Sequence, residues 1–174
     1  ESTLIDKLRA TLHLDPEAEQ GESATGLELA SGRLERLHVP TELGSALMPG
    51  RELLQPLDLE ADLGGDSEQL LARATLRAGD AGSIEIGGSF NPDNARPGYR
   101  VSVALDRLQP HRIVDLEGIS GTINAGISAQ GEGFDPETAR ARLGLAIWDS
   151  DIQSYQIERS RLRASLADGR IQLK

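Results

Sequence analysis

Cysteine is absent from the 174 residues, which removes disulfides, zinc ribbons, thiol nucleophiles and thiol redox chemistry together. Aromatic residues are scarce: Trp148, Tyr99, Tyr155, Phe90 and Phe134 are the full set, beside a single Met. A compact enzyme fold usually anchors its core on more such side chains, because each buries a large apolar area. No run of about 18 apolar residues occurs, so no bilayer-spanning helix is expected. No basic-then-apolar signal segment opens the chain either. Positive charge is in deficit: 18 Lys and Arg stand against 28 Asp and Glu, a net charge of −10. That balance argues against a nucleic-acid partner, which needs a clustered basic footprint.

What the chain does contain is period-two alternation, recurring in nearly every apolar segment. Leu8, Ala10, Leu12 and Leu14 alternate with polar residues, as do Leu57, Leu59, Ala61 and Leu63, and Leu70, Ala72, Ala74 and Leu76. The pattern continues through Ile84, Ile86, Gly88 and Phe90, through Val101, Val103 and Leu105, and through Ile119, Ile123, Ala125, Ile127 and Ala129. It ends with the stretch from Ala139 to Ile147, then Leu162, Ala164 and Leu166, then Ile171 and Leu173. Each stretch reads as a strand with one apolar and one polar face. Turn signals separate them at Gly64-Gly65-Asp66, Gly79 to Gly82, Asn91 to Asn94, Asp135-Pro136-Glu137 and Asp168-Gly169, the spacing of hairpins in a meander. Residues 15–26 read as a polar loop, 43–56 as an interruption, and 108–116 around Pro110 as a short helical turn.

The chain also repeats itself. Gly87, Phe90, Pro92, Ala95 and Arg96 recur as Gly131, Phe134, Pro136, Ala139 and Arg140, 44 residues further on. A second echo links Arg73 to Leu76 with Arg163 to Leu166. Repetition of this kind points to stacked supersecondary units.

A sheet with one continuous apolar face must cover it with a second sheet, with helices, by closing on itself, or with a ligand. No amphipathic helix long enough to form a covering layer is present. The expected fold is therefore all-β, an elongated curved antiparallel sheet of repeated hairpins, a half-pipe with an apolar concave face. Two regions are expected: residues 1–56 with weaker strand character, and 57–174 with the regular repeats. Leu59, Leu63, Leu76, Ile84, Ile86, Val101, Val103, Leu105, Ile123, Ile127, Leu143, Leu145, Ile147, Leu162, Leu166 and Ile171 are expected to line the groove. The chain opens on Glu1 and Ile171 to Lys174 stops in mid-strand, so we expect a segment of a longer protein.

The run from Val103 through Leu105, Leu108 and Pro110 to Ile113, followed by Leu116, Gly118, Gly121 and Ile123, then Gly131, Gly133, Asp135 and Pro136, resembles the AsmA-like and TamB group of bacterial envelope proteins. That group shows a Leu-rich connector, a glycine-spaced strand and a Gly-x-Gly-x-Asp-Pro turn. The resemblance covers residues 57–174 and rests on glycine and leucine patterns. It implies a β-taco, in a protein anchored in the inner membrane and crossing the periplasm of a Gram-negative-type bacterium. Its hydrophobic groove would conduct phospholipid acyl chains toward the outer membrane. An alternative is a scaffold for outer-membrane β-barrel assembly by strand templating; another is a closed adhesin-type repeat.

Chemistry is otherwise thin. His13, His38 and His111 lack metal-ligand spacing and are expected on the polar face or in turns. Asp149 and Asp151 would share one face of a strand, but a solvated turn between strands is the expected setting. No phosphate loop and no nucleophile elbow is present, so no catalytic residue, metal or cofactor is expected. Arg73, Arg77, Arg140, Arg142, Arg161 and Arg163 are expected to keep the polar face soluble, with lipid phosphates as the alternative role. Phe90 and Phe134 either close the groove or pack a strand end.

Overall fold

The computed structural model describes residues 10–12, 32–43, 50–66, 68–92, 96–116, 120–135, 137–167 and 169–174. Among them, ten strands form one sheet in strict sequence order, and every pair is antiparallel. They are β1 (Ala10–Leu12), β2 (Gly32–Val39), β3 (Leu57–Gly65), β4 (Leu70–Arg77), β5 (Ser83–Asn91) and β6 (Gly98–Leu108), then β7 (Gly121–Glu132), β8 (Arg140–Ile152), β9 (Tyr155–Ala167) and β10 (Arg170–Leu173). A four-residue helix, α1 (Pro110–Ile113), follows β6. Proline at its first position suits a helix start, where its missing N–H leaves no bond unmade. The all-β curved meander is thus what the alternation predicts, and the repeated segments each begin in the first strand of a hairpin, Gly87 within β5 of β5–β6 and Gly131 near the end of β7 of β7–β8.

Buried apolar side chains are few and mostly small. Leu53, Ala78, Ala81 and Leu108 are buried in a plug at one rim of the sheet, where main-chain bonds tie the pieces together: Leu54 N–H to Ile113 O (2.8 Å), Asp115 N–H to Glu52 O (3.0 Å) and Gln109 N–H to Ala81 O (2.8 Å). Arg112 of α1 clamps Asp80 in the β4–β5 turn with two bonds of 2.7 and 2.8 Å. The 108–116 turn is where it is expected, and the interruption before β3 supplies Leu53, which bridges to Val114.

Three departures from simple pairing shape the sheet. The β2 register shifts between Leu34 and Leu37, the β6 register between Leu105 and Leu108, and the β7–β8 register between Thr122 and Ala125. Each inserts an extra residue, which bends the strand and increases its twist. The latter two sit on either side of Asn124. Its side-chain oxygen accepts the Arg107 N–H (2.8 Å), its amide donates to Asp149 O (2.8 Å), and its own N–H donates to Ser150 Oγ (2.9 Å). Arg107 and Asp149 both take positive φ, 47° and 41°, a conformation that asparagine's bonds compensate.

One expectation is corrected here. Asp149 and Asp151 lie inside β8, not in a solvated turn; Asp149 occupies the bulge and the Ser150 between them is buried. The β8–β9 turn falls instead at Gln153 and Ser154, with Gln153 at φ 58°. A glutamine in that conformation carries no turn signal, whereas the aspartates do. His13, Ile119 and the 15–26 loop lie outside the described residues.

Candidate functional site: an open apolar face

Residues directly opposite one another across antiparallel strands point to the same face, so the register assembles the site. One row runs Leu63, Ala72, Gly88, Val101, Ala129, Leu143, Ala164, Leu173. The next runs Leu34, Ala61, Ala74, Ile86, Val103, Ile127, Leu145, Leu162, and a third Leu59, Leu76, Ile84, Leu105, Ala125, Ile147. A fourth holds Leu70, Phe90, Tyr99, Gly131, Ala141, Leu166 and Ile171. Fifteen of the sixteen expected groove residues fall in these four rows; Ile123 lies beyond the bulge, opposite Leu108. Eight strands at about 4.8 Å spacing make the rows about 34 Å long, and four rows two residues apart span about 20 Å.

Nothing described covers this face. Apart from α1 against β7, the elements make extended contact only with their hydrogen-bonded neighbours. Leu63, Ile86, Val101, Ile127, Leu143 and Leu162 remain 38 to 46 % exposed, although side chains of this kind are usually buried. A contiguous apolar area of this extent on a folded chain marks an interaction surface.

The face is not uniform. Over β2–β6, Gly32, Ala61, Ala72, Ala74 and Gly88 form the floor of a trough of about 550 Å³ walled by Leu34, Leu63, Ile86 and Val101. That volume suits an apolar ligand segment. At one rim an aromatic cluster closes the edge: Tyr99 stacks on Phe134 at 5.6 Å with 10° between planes, and Phe90 lies 6.1 Å from Phe134. Gly131 permits this, because a Cβ there would meet the Tyr99 hydroxyl at 2.5 Å. Phe90 and Phe134 are not equivalent in place, one ending β5 and the other lying past the end of β7, yet they pack together through the turns of successive hairpins. The plug of Leu53 and Leu108 closes the opposite rim.

The reverse face carries the charges. Arg33 meets Asp62 at 2.7 Å, Arg77 meets Glu60 at 2.8 Å, and Asp58 takes Arg36 at 2.8 Å and His38 at 2.9 Å. Hydrogen bonds from Arg36 and then His38 hold the Asp58 carboxyl down at about 2. His38 is thus a polar-face residue, as expected, while His111 sits in α1 with a buried Nδ1 that has no partner among the described residues. Trp148 also lies on this reverse face, its ring passing over Gly126. No cluster of His, Asp or Glu suited to a metal ion occurs among the described residues.

No protein-family model, curated protein or solved structure matches the chain.

Proposed function

We propose that the open apolar face conducts the acyl chains of phospholipid, as a non-catalytic part of a periplasm-spanning, inner-membrane-anchored protein of the AsmA-like and TamB kind. The observation that carries this reading is the set of four unbroken apolar rows with no covering layer among the described elements. One leaflet's hydrocarbon is about 15 Å deep, so rows of about 34 Å accommodate a whole chain lying along them. At about 0.8 kcal/mol per buried methylene, ten methylenes half-covered by an open wall contribute on the order of 4 kcal/mol, equivalent to millimolar affinity. Holding of that strength lets a chain slide, since Leu and Ala offer no directional stop.

Native mass spectrometry with lipid extraction of the chain purified from an expressing bacterium tests the reading. Phospholipid is expected with the wild-type chain and lost in Ile127→Arg and Leu145→Arg, which place a charge in the central row. A lipid-free wild-type chain that takes up none from micelles, or unchanged lipid in folded arginine variants, overturns it.

A further inference from the structure

The polar face handles its cations in two ways. Over β2–β4, Arg33, Arg36 and Arg77 are each answered by a carboxylate on a neighbouring strand. Arg73 on β4 has no ion pair among the described residues, and Arg107 on β6 meets Asp106 at 3.6 Å, but over β6–β10 unpaired cations gather together. Arg100, Arg142, Arg163 and Lys174 line one depression of about 540 Å³ together with Ser128 and Gln130, and among the described residues no Asp or Glu side chain lines it. None of the four has an ion pair among the described residues. In a chain of net charge −10, acids to neutralise them are plentiful, yet Glu132, the diagonal neighbour of both Arg100 and Arg142, makes no ion pair with either among the described residues.

The register brings these groups together. Arg100 and Arg142 flank Gln130 in one cross-strand row, about 10 Å apart at the backbone. Arg142 lies opposite Ser165, so Arg163 is its diagonal neighbour, within about 7–8 Å. Arg163 and Lys174 exchange main-chain hydrogen bonds of 2.9 and 2.8 Å and stand side by side. Like charges gathered so closely oppose folding, and solubility alone asks for no such clustering. A planar guanidinium presents paired donors that match phosphate oxygens, and one phosphate cannot reach groups spread over this distance.

We propose that this depression binds an anion carrying two or more phosphate groups, held by Arg100, Arg142, Arg163 and Lys174 on the face opposite the apolar groove. The site is independent of the groove reading, because the sheet separates the two faces.

Calorimetric titration of the chain with inorganic tripolyphosphate provides the test. Saturable one-to-one binding is expected, weakened about tenfold by Arg142→Gln or Arg163→Gln, the loss typical of one charged hydrogen-bonding group. Arg161→Gln removes the same charge from the neighbouring row outside the depression and is expected to change affinity less than about twofold, apart from general screening. Co-sedimentation with phosphatidylcholine–cardiolipin vesicles identifies the source of the phosphates. Retention that tripolyphosphate competes away and that Arg142→Gln abolishes indicates clustered headgroups; tripolyphosphate binding without retention indicates a soluble ligand. Equal weakening by Arg161→Gln, or absence of both saturable heat and retention, overturns the site. Vesicle retention indifferent to Arg142→Gln and Arg163→Gln also counts against it and belongs to the apolar face.

Discussion

Replacing Asn124 by alanine tests the device that bends the sheet. Asn124 is 8 % exposed and Ser150 3 %, so the main-chain groups bonded to the asparagine side chain have little water to turn to. Asn124→Ala orphans the Arg107 N–H and the Asp149 carbonyl. Each unsatisfied group costs about 1–3 kcal/mol, less where water reaches it, and both residues are held at positive φ with no glycine to ease it. The expected loss is about 3 kcal/mol, a large share of a typical 5–15 kcal/mol stability. With a urea slope near 2 kcal/mol per molar, the midpoint falls by roughly 1.5 M. Trp148 is the only tryptophan, and its carbonyl lies 2.9 Å from Ser150 Oγ, so its fluorescence reports on the same locality while far-ultraviolet circular dichroism reports on the whole sheet. Asn124→Asp keeps the acceptor for Arg107 but sets a buried carboxylate oxygen against the Asp149 carbonyl, and at neutral pH is expected to cost at least as much as alanine. A loss under about 0.5 kcal/mol for Asn124→Ala, with coincident transitions, refutes the claim that the bonds of Asn124 stabilise the paired bulges.

Acid titration gives a second expected outcome. Asp58 has its pKa lowered from 3.8 to about 2, so its contribution is present above pH 4 and is lost as pH falls toward 2; partial exposure limits it to about 1–2 kcal/mol. Asp58→Asn should flatten the stability profile over that window in thermal melts, and an unchanged profile counts against the Arg36 and His38 bonds. Gly131→Val should drive Tyr99 off its seat on Phe134, costing about 1–3 kcal/mol by overpacking and lowering the melting temperature; Tyr99→Ala in the same background should recover part of it. Ala74→Trp fills the trough while adding apolar surface, so it should reduce lipid retained in native mass spectra if shape governs binding, and increase it if apolar area alone does.

Most of the architecture is visible in the alternation because a sheet with one greasy face must keep every second residue apolar, and a one-residue slip exchanges the faces. The places that escape are those where alternation itself breaks. β2 was not among the alternating segments, since Leu34, Leu37 and Val39 are spaced three and then two, the footprint of its bulge. The step from Leu105 to Leu108 carries the same footprint on β6. Asn124 and Ser150 gave no warning, because their importance comes from two neighbouring strands that kink at one level. The unpaired basic depression was legible only as scattered arginines: Arg100 lies far in sequence from Arg142 and Arg163, and only the register unites them.

The two faces meet different physical demands, and the row composition shows how both are met by one layer. An exposed apolar sheet invites association with its own kind. Interspersing Ala72, Gly88, Ala129 and Ala164 between Leu63, Val101, Leu143 and Leu173 leaves a corrugated surface. A flat partner sheet would touch only the ridges and leave voids over the alanines, forfeiting much of the dispersion energy that close packing supplies. A flexible hydrocarbon chain can follow the furrow instead. On the proposed reading, corrugation of this row favours a thin, deformable guest over a second rigid sheet.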